Sequence, residues 1–285
     1  MNEVIASPVL PSLNDSETIT PSTCSNYPCL RFHDGQVFAM EHDDIAVETA
    51  VAMVYNGIAH TVQMCSATDL EDLAVGFSVT EGIIDSAKDI KDIKIEVVCN
   101  GIEVHMTLAN RHFERLKRAR RSMGGRTGCG ICGTESLQHV VRLVTPVSTN
   151  TSLSYVAVQR ALFSFKQYQL LNQLTGSTHA AAYISSTGEI LAIREDVGRH
   201  NALDKLIGHY LKSDLKNGAI LVSSRASFEM VQKVASANVA ILLAISGATS
   251  MAVDLSDKLN LTLAGYCRTG RMNLYTHTQR IQFTD

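Results

Sequence analysis

Residues 219–266 read AILVSSRASFEMVQKVASANVAILLAISGATSMAVDLSDKLNLTLAGY. Three apolar runs in this stretch are separated by two runs of mixed polar and apolar residues. The pattern predicts strands at 219–224, 240–246 and 261–266, with helices at 228–238 and 250–259. Buried strands that alternate with short helices are typical of a layered α/β domain with a mainly parallel sheet.

The same alternation extends towards the N-terminus. A long helix is predicted at 154–174, ending at Gly176, and a further helix at 199–211. Strands are predicted at 179–185 and 189–194, joined by a turn. The sequence therefore favours an α/β domain with a mixed sheet over residues 126–285.

A small α+β subdomain is predicted at residues 31–125. Asn56-Gly57 and Asn100-Gly101 each indicate a β-hairpin, because Asn-Gly suits a type I′ turn. Between the hairpins, Thr68-Asp-Leu-Glu71 has the form of a capping box at a helix start, and Gly82 suits the end of that helix. Four of the five prolines lie in the first 28 residues, so we expect a disordered tail over 1–30.

The composition excludes several classes of protein. The chain has 285 residues and a net charge of −3, which gives no overall attraction to nucleic acid or membranes. The longest apolar run, 239–245, is far shorter than the ~20 residues of a membrane span, and the N-terminus lacks the pattern of a signal peptide. Seven scattered cysteines do not suit a secreted disulfide framework, so we expect a cytoplasmic protein.

One cysteine pair, Cys129-Gly-Ile-Cys132, lies in a glycine-rich run that follows Arg120, Arg121 and Arg126. It supplies only two of the four ligands of a structural zinc site. A thioredoxin-like disulfide is a second interpretation, although that fold has a different order of elements. A sulfur-carrying thiol is favoured, because nearby cations and a following helix N-terminus lower the pKa of a thiol. The glycines leave the sulfur atoms accessible to a large partner.

Polar side chains cluster where the predicted strands meet helices. His179 opens a strand, and Arg199, His200 and Asn201 follow another. Open α/β sheets bind ligands at such junctions, and helix N-termini there accept phosphate. The junctions at 223–227 and 246–249 are of the same kind, without individual ligands being assigned. For Asp204 and Lys205 we favour a structural role, with Asp196 capping a helix and Lys205 in a solvated ion pair.

The last predicted strand runs into a turn that is suited to a nucleotide. Arginine binds phosphate with two parallel hydrogen bonds, and a tyrosine ring offers a face for stacking on a base. The alternative is a polar surface turn with no ligand. The residues of this turn are Tyr266, Cys267, Arg268, Thr269, Gly270 and Arg271.

Taken together, these motifs resemble those of the formate dehydrogenase accessory sulfurtransferases. The matching segments occur in the order that this family shows, from about residue 45 to about residue 280. They are 54–57, 69–76, 127–133, 178–181, 195–205 and 265–271. The run EDVGRHNALDK at 195–205 is long and specific.

The resemblance implies a function. Such proteins accept sulfur from a cysteine desulfurase as a persulfide. They pass it to the molybdenum or tungsten bis-pterin guanine dinucleotide cofactor, bound transiently, before that cofactor enters formate dehydrogenase. By position, Cys129 would carry the persulfide with Cys132 assisting, and the GDP-like part of the cofactor would bind at 266–271. The resemblance also implies a larger domain similar to the cytidine-deaminase fold, and a homodimer.

A deaminase-like fold would not bring deaminase chemistry with it. Zinc deaminases use His-x-Glu followed by Pro-Cys-x-x-Cys, whereas here Ala-Ala follows His179 and the cysteine pair precedes it. We therefore expect no metal site. Two other classes stay open, a thiol-disulfide oxidoreductase that uses Cys129 and Cys132, and a non-catalytic nucleotide-binding chaperone.

Overall fold

The computed structural model describes residues 22–122 and 143–283. Within these ranges no helix has the length and apolar character that a membrane span needs. The strands are β1 (Cys24–His33), β2 (Gln36–Ala46), β3 (Thr49–Tyr55), β4 (Ile58–Cys65), β5 (Ile90–Val98), β6 (Gly101–Leu108), β7 (Leu153–Ser154), β8 (His179–Ile184), β9 (Ile190–Asp196), β10 (Ala219–Val222), β11 (Ile241–Ala244), β12 (Thr262–Arg268), β13 (Arg271–Thr276) and β14 (Ile281–Gln282). The helices are α1 (Leu70–Thr80), α2 (Asn110–Ser122), α3 (Tyr155–Phe165), α4 (Leu170–Thr175), α5 (Arg199–Lys212), α6 (Phe228–Ser236) and α7 (Ser250–Lys258).

The larger sheet has six strands in the order β13-β12-β11-β10-β8-β9. Strands β10, β11 and β12 are parallel to one another, whereas β8, β9 and β13 each pair antiparallel with a neighbour. Every residue of β10 and β11 is buried, as expected for strands covered on both faces. The mixed α/β class is confirmed; the likeness to the cytidine-deaminase fold stays a prediction.

The helix predicted at 154–174 is broken into two. Helix α3 ends at Phe165, a short 3-10 turn follows, and α4 begins at Leu170. The cause lies on β9, because the carboxylate of Glu195 accepts the backbone N–H groups of Leu171 and Asn172, both at 2.8 Å. A side chain distant in sequence thus caps a second helix start. The predicted end at Gly176 is correct, with that glycine left-handed at φ 65°.

The smaller unit is a four-stranded sheet in the order β4-β3-β6-β5, with α1 packed against it. Both predicted Asn-Gly hairpins are present. The predicted capping box is wrong. The N-cap of α1 is Asp69, in a left-handed conformation and without a side-chain cap, while the Thr68 hydroxyl lies 3.4 Å from Nζ of Lys205.

The predicted end of the disordered tail, at residue 30, is too far along the chain. Residues 24–30 belong to β1, which pairs with β2 along most of its length and turns at Asp34-Gly35. Proline is tolerated in such a two-stranded ribbon because an edge strand leaves some N–H groups unpaired. The predicted boundary between 125 and 126 falls outside the described residues and stays a prediction.

Helices α1 and α5 join the two units by crossing backbone against backbone. A Cβ atom on Gly76 would lie 1.8 Å from the carbonyl oxygen of Asp204, and one on Gly208 would lie 1.8 Å from that of Asp72. No other residue fits at either position without moving a helix. This crossing fixes the smaller unit beside the start of α5.

Candidate functional site

One edge of the larger sheet collects the ends of several strands and is lined with polar side chains. Strands β9, β10, β11 and β12 end here, and the antiparallel β8 begins here. Neighbouring strands lie about 4.8 Å apart, so the three spacings from β8 to β12 amount to about 14 Å. We call this the polar edge; it comprises His179 and residues 196–201, 223–229, 246–249 and 266–271.

His179 is half-buried at the start of β8. Its Nδ1 lies 3.4 Å from Oγ of Ser223, which also accepts the backbone N–H of Ala180 at 2.9 Å. Burial and the positive charge of Arg199 lower the pKa of His179, although Asp196 opposes the change. The imidazole is therefore neutral at pH 7 and available for hydrogen bonding.

Arg199 and His200 form the first turn of α5. Nε2 of His200 lies 2.9 Å from Oε2 of Glu229 in α6. Burial lowers the pKa of His200, Glu229 opposes this, and the charges of Arg199 and Lys233 lower it further. The buried Nε of Arg199 has no hydrogen-bond partner among the described residues.

A second contact lies one turn deeper between the same two helices. Nζ of Lys233 lies 2.8 Å from Asp204 and 2.8 Å from Glu81. Burial lowers the pKa of Lys233, but these two carboxylates outweigh it and raise the pKa overall. His200 and Asp204 are four residues apart on α5, as are Glu229 and Lys233 on α6. The two contacts therefore hold the N-termini of α5 and α6 side by side at the polar edge.

Besides Glu195 and Asp204, the fold uses three more residues of the 195–205 run, Asp196, Asn201 and Lys205. Asp196 and Lys205 are fully buried and 2.7 Å apart. Oδ1 of Asp196 accepts the N–H of Gly198 at 2.8 Å, just before α5. The predicted ion pair is thus present, but it is buried rather than solvated. The predicted cap is wrong, because the N-cap of α5 is Gly198 and no side chain caps the helix. Asn201, predicted to bind the cofactor, is also buried and donates its amide to the carbonyl oxygen of Met64 at 2.9 Å.

Tyr266 occupies a strained position at the other end of the polar edge. Its φ of 52° is left-handed, which is rare for an aromatic residue and occurs mainly at functional sites. The side chain is 49% exposed. A Cβ on Gly247 would lie 2.8 Å from the tyrosine oxygen, so the ring end rests on that glycine. The arrangement leaves ring surface open for stacking.

The rest of the 266–271 turn joins β12 to β13. The Cys267 thiol is fully buried, and burial raises its pKa to about 12, so only its backbone borders the turn. Nη1 of Arg268 donates to the carbonyl oxygens of Ile245 and Cys267. Thr269 and Arg271 are exposed, and Gly270 donates its N–H to Gln159 at 2.6 Å.

Cys129 and Cys132 lie outside the described residues, together with Arg126. Helix α2, which precedes them, has two of its arginines paired locally. Arg111 contacts Asp89 at 2.8 Å and Arg115 contacts Asp85 at 3.0 Å. These two side chains therefore form ion pairs within the smaller unit.

Metal-ligand types come together at one place in the described part of the chain. Ligand atoms of Asp85, Asp89 and His112 lie within 4.8 Å of one another. Burial would raise the pKa of Asp89, but hydrogen bonds from Arg111 and His112 lower it overall. Protein cations already occupy both carboxylates, so this cluster is explained without an ion.

An apolar groove of about 340 Å³ lies beside β9. Its lining includes Tyr168, Leu170, Leu174 and Ile193. None of the residues predicted to bind the cofactor lines it.

The sequence pattern alone does not single out Ser223, Ser227, Glu229 and Gly247. Ser223 and Ser227 lie inside the predicted junction at 223–227, and Gly247 lies inside the one at 246–249. Glu229 falls beyond these, and its contact with His200 crosses between helices. The one indication in the sequence is helical spacing. Glu229 and Lys233 are four residues apart, as are His200 and Asp204, so each pair lies on one helix face.

Comparisons with known proteins agree on one family. The profile of the FdhD/NarQ family matches residues 46–282. A relative from Cupriavidus necator named "Sulfur carrier protein FdhD" is 46% identical over 264 residues, which is 92% of this chain and 91% of the relative. The crystal structure of a candidate formate dehydrogenase accessory protein from Desulfotalea psychrophila superposes with a TM-score of 0.71 at 21% identity, covering 91% of this chain and all of the other. At that identity the structural likeness concerns the fold alone.

Proposed function

This chain belongs to the FdhD/NarQ family, and on that premise we propose that it is a sulfur carrier in the maturation of formate dehydrogenase. It takes sulfur from a cysteine desulfurase as a persulfide on Cys129. It passes that sulfur to a molybdenum bis-pterin guanine dinucleotide held as cargo. The observation that carries the proposal is the 46% identity to a named sulfur carrier over nine-tenths of both chains.

The described cysteines support this choice of carrier. Cys65 and Cys267 are fully buried, and burial raises the pKa of each thiol to about 12. Because the thiolate is the nucleophile, neither reacts at neutral pH. Cys99 is exposed in the turn between β5 and β6, and Cys24 and Cys29 are half-buried in β1.

The first transfer is a thiol–persulfide exchange. The Cys129 thiolate attacks the outer sulfur of the donor persulfide, that sulfur–sulfur bond breaks, and the donor leaves as a thiolate. Delivery of the sulfur as hydrosulfide takes two electrons. Attack by the Cys132 thiolate on the inner sulfur supplies them and leaves a Cys129–Cys132 disulfide, which a cellular dithiol then reduces.

The polar edge is the proposed binding site of the cofactor. A phosphate-rich ligand with flat rings needs cations, N–H donors and an aromatic surface. Arg199 and Arg271 supply charge, the starts of α5 and α6 supply N–H groups, and Tyr266 supplies a ring. His179 and His200 add neutral hydrogen-bonding groups. The residues predicted to bind the cofactor, from 179 to 271, thus belong to one edge of the larger sheet.

The chain between the cysteines and the larger sheet is long compared with the distance to the proposed cofactor site. The described chain resumes at Leu143, and Val147 donates its N–H to Leu259 at 2.8 Å, just before β12 starts. That is the opposite end of the larger sheet from the polar edge. Seven residues of β12 span about 23 Å, whereas the 11 residues from Cys132 to Leu143 extend to at most about 38 Å. The length of the chain is therefore sufficient for the proposed transfer.

Intact-mass measurement tests the carrier role. Full-length protein is incubated with cysteine and a cysteine desulfurase, and wild type should gain the mass of one sulfur atom, lost again on reduction. Cys129→Ala should gain nothing, while Cys99→Ala, a matched change at an exposed cysteine, should load as wild type does.

Two outcomes of this experiment would contradict the proposal. Loading of Cys129→Ala would place the sulfur elsewhere. Loss of two hydrogen masses in wild type, with no sulfur gained, would indicate the thiol-disulfide oxidoreductase instead. The homodimer and the cytoplasmic location remain part of the proposal, with the desulfurase and formate dehydrogenase as partners.

A further inference from the structure

Strand β9 is an outer strand of the larger sheet, and within the described residues it pairs with β8 alone. On β8, Ala180 directs both of its backbone groups towards β10. Its N–H donates to Oγ of Ser223, and its carbonyl oxygen accepts the N–H of Ser223, both at 2.9 Å. Opposite residues of an antiparallel pair turn their backbone groups either towards each other or both away. Glu195 lies opposite Ala180, so its backbone groups point away from β8, as do those of Ile193 two residues earlier.

The apolar groove beside β9 includes this free edge, because Ile193 and Glu195 both line it. Their carbonyl oxygens already have neighbours. That of Ile193 accepts Nη1 of Arg194 at 2.8 Å, and that of Glu195 lies 3.4 Å from Nζ of Lys205. The outward N–H groups are therefore the part of the edge that an additional strand can use, through its own carbonyl oxygens.

The groove suits uncharged side chains. Leu170 and Leu174 of α4 line it and are 68% and 59% exposed. Both acids on its lining are engaged within the protein, since Glu195 accepts two N–H groups of α4 and Asp69 lies 3.3 Å from Nε of Arg194. An open strand edge beside an apolar wall is the arrangement that binds an extended peptide segment by adding it to the sheet.

The chain itself supplies such a segment close by. The described residues begin at Ser22, and Thr23 lines the groove. Residues 18–20, just outside the described part, read Thr-Ile-Thr, a run of β-branched, uncharged residues of the kind that favours strands. Ile19 is four residues from Thr23, so their Cα atoms are at most about 14 Å apart.

We propose that residues 18–20 bind in this groove as an added strand on the free edge of β9, with the side chain of Ile19 beside Leu170 and Leu174. An edge covered in this way is closed to pairing with another chain. The inference goes beyond the proposed sulfur transfer and uses neither the cysteines nor the cofactor site.

The spacing of the backbone groups matches. The carbonyl oxygens of Thr18 and Thr20 point to the same side of an extended strand, because they are two residues apart. The N–H groups of Ile193 and Glu195 are also two residues apart and point to the same side of β9. Two acceptors of the segment can therefore meet two donors of the edge.

Hydrogen exchange on the full-length protein, resolved to single amides, tests the added strand. In wild type the amides of Ile193 and Glu195 should be protected, although neither faces β8. Ile19→Asp brings a charge into an apolar groove, so both amides should exchange about 10-fold or more faster, the factor that burial of an isoleucine side chain contributes to a binding equilibrium. The matched change Ile5→Asp lies outside the segment and should leave both rates unchanged.

A second pair of variants tests the groove from its other side. Leu174→Asp should have the same effect on the two amides as Ile19→Asp. Phe163→Asp changes an apolar residue of α3 that is 72% exposed and does not line the groove, so it should have none. The amide of Arg194 faces β8, and its unchanged rate in every variant shows that the sheet itself stays folded.

Three outcomes would overturn the proposal. The first is unprotected exchange of Ile193 and Glu195 in wild type. The second is protection that withstands Ile19→Asp. The third is protection that weakens when the protein is diluted, which would show that the segment comes from a second copy of the chain.

Discussion

The buried pair of Asp196 and Lys205 clamps the smaller unit to the start of α5. Oδ2 of Asp196 accepts the N–H of Ser66 at 3.0 Å, and Nζ of Lys205 donates to the carbonyl oxygen of the same residue at 2.8 Å. Ser66 lies between β4 and α1, and all three residues are fully buried. Replacing Lys205 by methionine keeps the side-chain volume close to that of lysine but leaves the carboxylate without its charge partner.

The size of the effect follows from that burial. Breaking a buried ion pair by removing one partner costs about 3–5 kcal/mol, because an uncompensated charge stays inside the protein. For a chain of this length each kcal/mol lowers Tm by roughly 2–4 °C, so Lys205→Met should lower Tm by about 6–20 °C. The start of α5 carries Arg199 and His200, so GDP affinity should fall as well.

Urea unfolding followed by circular dichroism measures this cost. The matched control is Lys212→Met on the same helix, whose half-exposed lysine shares Asp72 with Arg194 and should cost about 0–1 kcal/mol. Asp196→Asn combined with Lys205→Met removes both charges and should recover part of the loss. A loss below about 1 kcal/mol for Lys205→Met, or strict additivity in the double variant, would refute this account of the clamp.

Two further predictions concern stability. Gly208→Ala places a Cβ 1.8 Å from the Asp72 carbonyl oxygen, so it should separate α1 from α5 and cost at least about 1–3 kcal/mol in urea unfolding; wild-type stability of that variant would contradict the close crossing. His179 has a lowered pKa in the folded protein, so the unfolded state binds more protons and the free energy of unfolding should fall as pH drops from about 7.5 to about 5.5. His179→Gln should flatten that slope, and an unchanged slope would show that this imidazole does not titrate as described.

Local signals in the sequence were sufficient for much of the fold. The Asn-Gly hairpins and the buried strands depend on residues close in sequence, and the structure confirms them. The errors occur where a distant side chain intervenes. Glu195 begins α4 inside a predicted helix, and Lys205 engages the hydroxyl of Thr68 that would have capped α1. Neither competition is visible in a window of neighbouring residues.

The β1–β2 ribbon shows a second reason why a prediction from the sequence failed. Its first seven residues lie in a proline-containing, polar stretch, for which composition favours disorder. The pairing partner lies up to 22 residues away, at Ala46 for Cys24. Composition averages over a segment and carries no information about such a partner, so the boundary at residue 30 was wrong.

For the candidate site, the sequence could indicate which residues at strand ends are polar, but not which of them form hydrogen bonds inside the protein. Asn201 looks as suited to a ligand as Arg199 does, yet its amide donates a hydrogen bond to a backbone carbonyl oxygen inside the protein. Arg199 and Ser227 keep a donor or hydroxyl without a partner among the described residues. Because an unfilled buried polar group costs free energy in the empty protein, a ligand that fills it recovers that cost on binding. The unfilled groups, rather than all polar residues at strand ends, are therefore where binding at this edge is expected.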